Sequence, residues 1–392
     1  MKFSLLLPTR NRAEYLRFAI ETILRQDDGD WEIVVSDNDS EQDIAGLVAS
    51  FADSRITYVR TNRFLPVTDN WNNALAHSTG DYVLMLGDDD GLVRGALSRL
   101  RELVDQFGQP DAIYTGAFLY AYPGVIPGYP NGYLQPNCNP AFRTTEPFWL
   151  PPSQALALVR DSMNLRMRFA YNMQHSLVSR RLIASLAARG PFYQSPYPDF
   201  YATNVLFLKA PRLLICQQPL VTIGISAKSY GFFHFNAEEK DGVAFLNNTG
   251  HESSQLSDRL LPGARNNTSW LLAMQAILVN YGGEHTLRVG YHRYRWLQML
   301  NVYKNVYFDR RIGQVELREL RRLLTAKERV LYGPFLRATF STMRLLPRAL
   351  VSRAIGRFRR AIGQYAAAGA ESVRPEIRSV LDVYEHVDAL GG

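Results

Sequence analysis

The sequence has little cysteine and no long apolar stretch. Among its 392 residues only Cys138 and Cys216 are cysteines, and their spacing fits neither a disulfide framework nor a metal-ligand motif. This predicts a reducing compartment. No run approaches the roughly 20 apolar residues that cross a bilayer, and the run at 3–7 is shorter than the about 7–15 residues of a signal peptide. We therefore expect a cytoplasmic protein, either free or held peripherally on the inner face of the cell membrane.

The excess of positive charge lies in one segment. The net charge is +7, and residues 331–370 carry seven arginines and no acid. The rest of the chain is close to neutral, which argues against the broad basic surface of a nucleic-acid-binding protein. Apolar residues are interspersed with these arginines over 335–365, a pattern typical of a basic amphipathic helix on an anionic membrane. The alternative is a helix that docks on the protein itself or forms a contact within a homo-oligomer.

Strand and helix patterns alternate over the first 115 residues. Apolar runs predict strands, and each of the first four is followed by a segment with a helical pattern. The predicted strands lie at 3–7, 31–35, 56–60, 81–86 and 112–115. This alternation predicts an α/β fold with a doubly wound, mostly parallel sheet. The pattern from 254 to 328 predicts a mainly helical C-terminal extension.

Three polar clusters follow predicted strands. They are Thr9-Arg10-Asn11, Asp37-Asn38-Asp39 and Asp88-Asp89-Asp90. Because ligands of such sheets bind beyond the carboxyl ends of the strands, we expect these clusters to meet at one edge. Their convergence would be stronger evidence for a binding site than any one cluster.

The aspartate triplet predicts a metal site. Adjacent carboxylates repel one another unless a cation neutralises them, and Mg²⁺ or Mn²⁺ binds one or two carboxylates together with phosphate oxygens. Such an ion would offset the charge that develops on a diphosphate leaving group. The alternative is a solvated acidic turn that caps the next helix. Delivery of the triplet by an apolar strand, beside two other polar strand ends, favours the metal.

The other two clusters suit a nucleotide. The carboxylate of Asp37 can accept a hydrogen bond from the imide of uracil or another base, and an Asx turn that ends the strand is the alternative. Pro8 and Thr9 can hold the base or the ribose, and Arg10 or Arg12 can reach phosphate. The alternative there is a plain connection between strand and helix, with Asn11 as the helix N-cap.

Three stretches resemble the family 2 glycosyltransferases in order and spacing: FSLLLPTRNRAEYLRFAIETILRQ, WEIVVSDNDSEQD and GDYVLMLGDDD. The resemblance covers residues 1–120 well and 170–230 more loosely. It implies a GT-A (Rossmann-like) fold, a nucleotide-diphospho-sugar donor with UDP-sugars in first place, a divalent metal and inversion at the anomeric carbon. The implied acceptor is a hydroxyl of a glycan, of a lipid-linked carbohydrate or of a small molecule.

The resemblance assigns roles to the acidic clusters. Asp37 matches the aspartate that contacts the base, and the triplet matches the DxD region of the family. Gly87 stands where many members have the first aspartate. This favours Asp89 as the metal ligand, with Asp88 near the ribose and Asp90 as a second ligand. A second register makes Asp88 and Asp90 the pair.

The resemblance also assigns residues in the second half of the chain. The family's general base is an acidic residue at the start of a helix, about 100 residues after the DxD region, and Asp199 matches it; an N-cap is the alternative. His175 is assigned to the acceptor side, with a buried structural role as the alternative. His234 is a candidate ligand of the metal or the phosphates, and Asn70 is assigned to the donor site. Residues 228–230 are candidates to close over the diphosphate.

The predicted division of the chain has three parts. Residues 1–235 form the catalytic domain, with a donor half at 1–115 and an acceptor half at 116–235. A helical region follows at 236–330, and 331–392 is the basic amphipathic segment. We expect the acceptor to be recognised by the second half.

Two alternative functions follow from other uses of such a sheet. A nucleotidyltransferase should show a glycine-rich, lysine-containing loop after the first strand, where PTRNRAEY has no glycine. A non-catalytic relative that binds sugar nucleotides would lack the metal aspartates or the base, and this chain has candidates for both.

Overall fold

The computed structural model describes most of the chain. The described residues are 1–126, 128–135, 142, 144, 146–227, 229, 260–308, 310–343, 350, 371–372 and 376–390. They fall into two compact units, the first bounded by Met1–Val159, Phe169–Thr249 and Ala367–Gly392, the second by Arg160–Arg168 and Gly250–Ala366. The strands of the described chain belong to the first unit, whereas the second unit is helical.

A single mixed sheet organises the first unit. Its strands are Phe3–Thr9 (β1), Trp31–Asp37 (β2), Ile56–Arg60 (β3), Tyr82–Met85 (β4), Gly91–Leu92 (β5), Ala112–Ala121 (β6), Tyr133–Gln135 (β7), Phe148–Trp149 (β8), Ser176–Ser179 (β9), Leu213–Ile225 (β10) and Glu371–Ser372 (β11). The order across the sheet is β11-β7-β6-β9-β4-β1-β2-β3, and β10 pairs with β5, β6 and β8. All five strands predicted in the first 115 residues are present.

The central strands run parallel. β1 pairs in parallel with β2 and β4, β2 with β3, and β6 with β10. Every residue of β1 and β2 is buried, as expected for strands covered on both faces. β9 runs antiparallel between β4 and β6. The predicted α/β fold with a mostly parallel central sheet is therefore confirmed, and β9 is the antiparallel insertion in it.

Helices connect these strands and build the second unit. Up to residue 209 they are Ala13–Leu24 (α1), Ile44–Ser50 (α2), Val67–Ala76 (α3), Ala96–Gln106 (α4), Pro152–Met163 (α5), Arg180–Leu186 (α6) and Pro198–Lys209 (α7). The second unit continues with Arg265–His285, Tyr291–Phe308, Arg310–Leu323 and Gly333–Met343. The predicted helical extension is confirmed. Among the described helices, none combines the length and apolar content that a bilayer crossing requires.

The start of α1 differs from the prediction. Its buried side chains are Leu16, Ala19, Ile20, Thr22 and Ile23, at helical spacing. Arg12, rather than Asn11, holds the N-cap position, so the predicted N-cap is wrong. Asn11 has a φ of 55°, which asparagine tolerates better than most residues. Its side-chain oxygen accepts hydrogen bonds from the amides of Glu41 and Gln42, and it thereby ties the loop after β1 to the loop after β2.

Between β6 and the helix Pro152–Met163 the described chain forms two short strands, β7 and β8. β7 pairs antiparallel with β6 and buries Tyr133 and Leu134. Residues 127, 136–141, 143 and 145 lie outside the described residues.

The C-terminal helix Val380–Leu390 packs into the first unit. Ile377, Val380 and Val383 are at most 3% exposed. They share a core cluster with Tyr122, which follows β6. This placement differs from the predicted single segment 331–392, because these apolar side chains complete a core formed by the sheet.

Truncating two valines of this core should destabilise the first unit. In Val380→Ala/Val383→Ala we expect the free energy of unfolding to fall by about 2–4 kcal/mol, because each change removes buried methyl groups and leaves a cavity. Chemical denaturation followed by circular dichroism measures the change. His386→Ala, on the exposed side of the same helix, is the control and should change this free energy by less than about 0.5 kcal/mol. An unaltered denaturation midpoint in the valine variant would show that the helix is not part of the core.

Candidate active site

The carboxyl ends of β1, β2 and β4 bring the three polar clusters together. Thr9 and Asp37 are register partners at the ends of β1 and β2. Thr9 Oγ1 donates a hydrogen bond of 2.7 Å to Oδ2 of Asp88, which follows β4. The predicted convergence of the clusters at one edge of the sheet is therefore confirmed.

Arg12 is the cation of this edge. Its Nη1 donates to Oδ1 of Asp88 at 2.6 Å and lies 3.6 Å from Oδ1 of Asp89. Burial opposes the charge of the guanidinium, but the two carboxylates outweigh burial and raise the pKa of Arg12. Burial also raises the pKa of Asp88, an effect that Arg12 partly offsets. Arg12 is thus engaged by carboxylates, and its contact with phosphate stays a prediction.

Asp90 is held by protein donors at both oxygens. The amide of Gly224 donates to Oδ1 at 2.8 Å. The amide of Gly87 and Nε2 of Gln174 donate to Oδ2 at 2.6 and 2.9 Å. Burial and the neighbouring Asp89 nevertheless raise the pKa of Asp90. These contacts tie the loop after β4 to β10 and to the turn before β9.

Asp89 turns one oxygen towards Arg12. Ser226 donates to its Oδ2 through Oγ at 2.6 Å and through its amide at 3.3 Å. Oδ1 lies 3.6 Å from Arg12 Nη1, beyond hydrogen-bond distance. Tyr122 donates to the backbone oxygen of Asp89 at 3.3 Å. A Cβ at Gly224 would lie 1.8 Å from that same oxygen, so only glycine fits where β10 passes the triplet.

These contacts bear on the predicted metal. Both oxygens of Asp88 and of Asp90 accept short hydrogen bonds from protein donors, whereas Oδ1 of Asp89 does not. A hard divalent cation prefers such a carboxylate oxygen. Among the described residues, no three acidic, histidine or cysteine side chains are grouped as a complete metal site. A cation at Asp89 would therefore need donor phosphate oxygens or water as further ligands, which suits Mg²⁺.

Asp37 is fully buried at the end of β2. Its Oδ1 accepts a hydrogen bond from the amide of Ser40 at 3.0 Å, and its Oδ2 accepts one from the hydroxyl of Tyr58 at 2.7 Å. Burial and the bond to Asp37 raise the pKa of Tyr58 to about 12. The turn contact that the sequence offered as the alternative is thus present. Because the side chain is fully buried, a base imide could reach it only if its surroundings shifted, and this contact stays a prediction.

Ser36 links β2 to α3 beside Asp37. Its Oγ donates to Oδ1 of Asn70 at 2.7 Å, and Nδ2 of Asn70 donates to the backbone oxygen of Ser36 at 3.2 Å. Nδ2 of Asn73 donates to Ser36 Oγ at 2.8 Å. Asn70 therefore supports the end of β2, and its predicted contact with the donor would require it to share these bonds.

Asp199 lies in the first turn of α7. Tyr197 is the N-cap and Pro198 the first helical residue, so Asp199 is not the cap that the sequence offered as the alternative. Its Oδ1 accepts a hydrogen bond from the amide of Met173 at 2.8 Å. Burial outweighs this contact and raises the pKa of Asp199 to about 7. A carboxyl group with that pKa has the proton affinity that suits a general base at neutral pH.

A 3₁₀ turn at Met173–His175 links Asp199 to the triplet. The amide of Met173 binds Asp199, and the next side chain, Gln174, binds Asp90. The strand β9 begins at Ser176, directly after this turn. Two successive residues thus hold the carboxylate at the start of α7 and the one after β4.

His175 is fully buried, next to this turn. Its Nδ1 lies 2.8 Å from the backbone oxygen of Thr115, and its ring stacks on Tyr114 with the ring centres 5.3 Å apart. Burial lowers the pKa of His175 to about 4, so the ring is neutral at pH 7. This geometry matches the structural alternative. A contact with an acceptor would require the ring to leave the core.

The remaining predicted residues differ in where they lie. Pro8 is buried within β1, and the guanidinium of Arg10 lies 3.7 Å from the centre of the Phe64 ring. Ser229 is buried and donates to the backbone oxygen of Ser226 at 3.0 Å. The other three candidates, Lys228, Tyr230 and His234, lie outside the described residues.

Four residues of the site were missed in the sequence. They are Tyr58, Tyr122, Gln174 and Ser226. Ser226 directly follows β10, so the rule that polar residues after strands mark the site could have found it. The other three act through tertiary contacts that no local pattern reveals.

The sequence matches a known family over its N-terminal part. Residues 4–158 match the family described as glycosyl transferase family 2. A GalNAc(5)-diNAcBac-PP-undecaprenol beta-1,3-glucosyltransferase of Campylobacter jejuni is 38% identical over 108 residues, 27% of this chain and 35% of that protein. The putative colanic acid biosynthesis glycosyl transferase WcaA of Escherichia coli is 26% identical over 246 residues, 61% of this chain and 81% of that protein. The chain thus spans about a third of the length of the first relative.

Solved structures include TarS 1-349 of S. aureus in complex with UDP-GlcNAc. That chain is 14% identical, with a TM-score of 0.47, and the match covers 82% of this chain and 90% of TarS 1-349. The family match at 4–158 contains the clusters after β1, β2 and β4. The chain is therefore similar to glycosyl transferase family 2 over residues 4–158.

Proposed function

We propose that this chain is an inverting glycosyltransferase that uses a nucleotide-diphospho-sugar, with a UDP-sugar as the first candidate donor. The observation that carries the proposal is the convergence of Asp37 and Asp88–Asp90 on one edge of the sheet, to which the Met173–Gln174 turn links Asp199. Two relatives have names that specify an undecaprenol-linked glycan and colanic acid biosynthesis, which favours a glycan or lipid-linked acceptor.

The donor nucleotide would lie at the ends of β1 and β2. The carboxylate of Asp37 would accept the imide hydrogen of the base, and Thr9 and Asp88 would lie beside the ribose. Arg12, 2.6 Å from Asp88, supplies positive charge close to the position proposed for the diphosphate. If the guanidinium of Arg12 moved from the carboxylate of Asp88 to a phosphate of the donor, it would have an anionic partner in both positions.

A divalent cation, Mg²⁺ or Mn²⁺, would be held by Asp89, with Asp90 as the second candidate ligand. When bound, such an ion supplies charge that stabilises a diphosphate leaving group. Ser226 orients the carboxylate of Asp89. It donates a hydrogen bond to Oδ2, so that Oδ1 faces Arg12.

Asp199 would act as the general base. Its carboxylate takes the proton of the acceptor hydroxyl while the acceptor oxygen forms a bond to the anomeric carbon of the donor sugar. The bond from that carbon to the diphosphate oxygen breaks, and the nucleoside diphosphate leaves with the electron pair. Attack opposite the leaving group inverts the configuration, and one base suffices for it.

A panel of UDP-, GDP- and dTDP-sugars with Mn²⁺ tests this proposal. Thermal stabilisation identifies the nucleotide, and release of UDP from a UDP-sugar, in the presence and absence of acceptor, reports the reaction. Stabilisation without turnover of any donor would indicate the non-catalytic relative. Formation of pyrophosphate from a nucleoside triphosphate and a sugar phosphate would indicate a nucleotidyltransferase.

Replacing Asp37 should weaken nucleotide binding. Asp37→Asn removes the charged acceptor proposed for the base, so we expect UDP to bind about 10- to 100-fold more weakly in isothermal titration calorimetry. Tyr58→Phe is the matched control, since it keeps the carboxylate and removes the hydroxyl bound to Oδ2. Its UDP affinity should change by less than about threefold. Equal losses in both variants would mean that the bond between Asp37 and Tyr58, and not a base contact, supports binding.

A further inference from the structure

The second unit exposes apolar side chains among basic ones at the π-helical turn Glu328–Tyr332 and the start of the next helix. The residues are Arg329, Val330, Leu331, Tyr332, Phe335 and Arg337, which we call the basic-apolar patch. Val330, Leu331 and Phe335 are 70%, 55% and 59% exposed. Large apolar side chains grouped in this way on a soluble protein mark an interaction surface.

The π-helical turn accounts for the exposure. Glu328 is buried and forms a bidentate ion pair with Arg295, in which Nε and Nη2 of the arginine each lie 2.7 Å from a carboxylate oxygen. It also forms a capping box with Thr325. The next buried residue is Gly333, five positions further on. Four consecutive residues, 329–332, therefore stay on the outer side, whereas an α-helix would turn the fourth of them back towards the protein.

The stretch of sequence that contains the basic-apolar patch carries almost only positive charge. Between 321 and 370 the sequence carries 11 basic residues and a single acid. That acid is Glu328, whose carboxylate is neutralised by Arg295. The basic residues described in this stretch, Arg321, Arg322, Lys327, Arg329 and Arg337, are exposed. The described part of the stretch therefore presents no exposed acid that would repel an anionic surface.

We propose that the basic-apolar patch binds the surface of an anionic lipid bilayer. Its apolar side chains would enter the interface, and its arginines would bind lipid phosphates. Positive charge spread over about 50 residues suits an extended anionic surface better than a single acidic groove on a protein. The inference does not depend on the proposed function, because no residue of the sheet edge takes part in it.

Sedimentation of the full chain with lipid vesicles tests this inference without any sugar nucleotide. In about 0.1 M salt the chain should sediment with phosphatidylglycerol/phosphatidylcholine vesicles and remain in solution with pure phosphatidylcholine. Raising the salt to about 0.5 M should lower the bound fraction. Absence of binding to anionic vesicles, or equal binding to both compositions, overturns the proposal.

Two double variants locate the surface. Leu331→Ser/Phe335→Ser and Lys327→Gln/Arg337→Gln should each weaken vesicle binding about tenfold or more, because they remove the apolar and the charged contribution separately. Val279→Ser is the matched control, a 72% exposed valine in the helix Arg265–His285. It should leave binding within about twofold of the original. Unchanged binding in both double variants, an equal loss in the control, or a change of oligomeric state in place of vesicle binding refutes the assignment.

Discussion

Asp199→Asn should lower the rate of sugar transfer by about 10³-fold while donor binding stays unchanged, because a general base contributes about 10²–10⁴-fold. Asparagine has nearly the same shape, and its Oδ1 can accept the hydrogen bond from the amide of Met173. The fold of the first turn of α7 should therefore persist. Initial rates of transfer and the donor dissociation constant, measured with the same preparation, separate the two effects.

The same variant should be more stable than the original chain above pH 7. Burial raises the pKa of Asp199 from 3.8 to about 7 in the folded chain. Between these pH values the folded chain holds a proton that the unfolded chain has lost, so stability decreases as the pH rises through this window. Asparagine has no charge to bury. We expect the free energy of unfolding to rise by about 1–3 kcal/mol at pH 8 and to change little at pH 4.

The pH profile of the original chain gives a further check of the base. Below pH 7 the transfer rate should rise about tenfold per pH unit and then level off, since only the ionised carboxylate takes the proton. Asp43→Asn is the matched control for Asp199→Asn and should keep the transfer rate of the original chain. Asp43 caps α2 through the amide of Gly46, and asparagine caps a helix about equally well. A transfer rate above about one tenth of the original in Asp199→Asn would assign the base to another group.

The sheet edge was predictable because buried parallel strands are apolar runs. A polar residue that ends such a run stands out in the sequence, and the direction of parallel strands determines where it lies. Thr9, Asp37 and Asp88 were found in this way, and the structure brings them together. The identity of the helices followed from the spacing of their apolar residues, as in α1.

The donors that hold the carboxylates were not predictable, because they depend on the register of distant strands. Gln174 and Ser226 reach Asp90 and Asp89 from segments far along the chain. The pairing of β10 with β6 shifts its register on both sides of Pro219, and this determines which residue arrives beside the triplet. No local pattern contains that shift.

Burial of single residues was equally hidden. A histidine before a strand can face a ligand or the core, and the sequence gives no means of choosing for His175. Val380 and Val383 lie at the start of the C-terminal helix, and their spacing does not reveal the partner of that apolar face. The structure assigns that face to the core beside Tyr122, which in turn contacts the backbone of Asp89.

Asp89→Asn should abolish the dependence of donor binding on a divalent metal. Asparagine keeps an oxygen for Ser226 Oγ but loses the charge that a hard cation requires. We expect the Mn²⁺-dependent part of the thermal stabilisation by UDP to disappear and the transfer rate to fall by at least roughly 100-fold. Differential scanning fluorimetry with UDP, in Mn²⁺ and in EDTA, measures the first effect.

Asp90→Asn is the comparison that separates the two possible ligand registers. Asp90 accepts hydrogen bonds from the amides of Gly87 and Gly224 and from the side chain of Gln174. The side-chain nitrogen of an asparagine at position 90 would therefore face one of these N–H groups. We expect this substitution to cost about 1–3 kcal/mol of stability and to leave the Mn²⁺ response in place. If the Mn²⁺ response instead survives in Asp89→Asn and disappears in Asp90→Asn, the metal ligands are Asp88 and Asp90. Loss in both folded variants would assign the cation to the two carboxylates together.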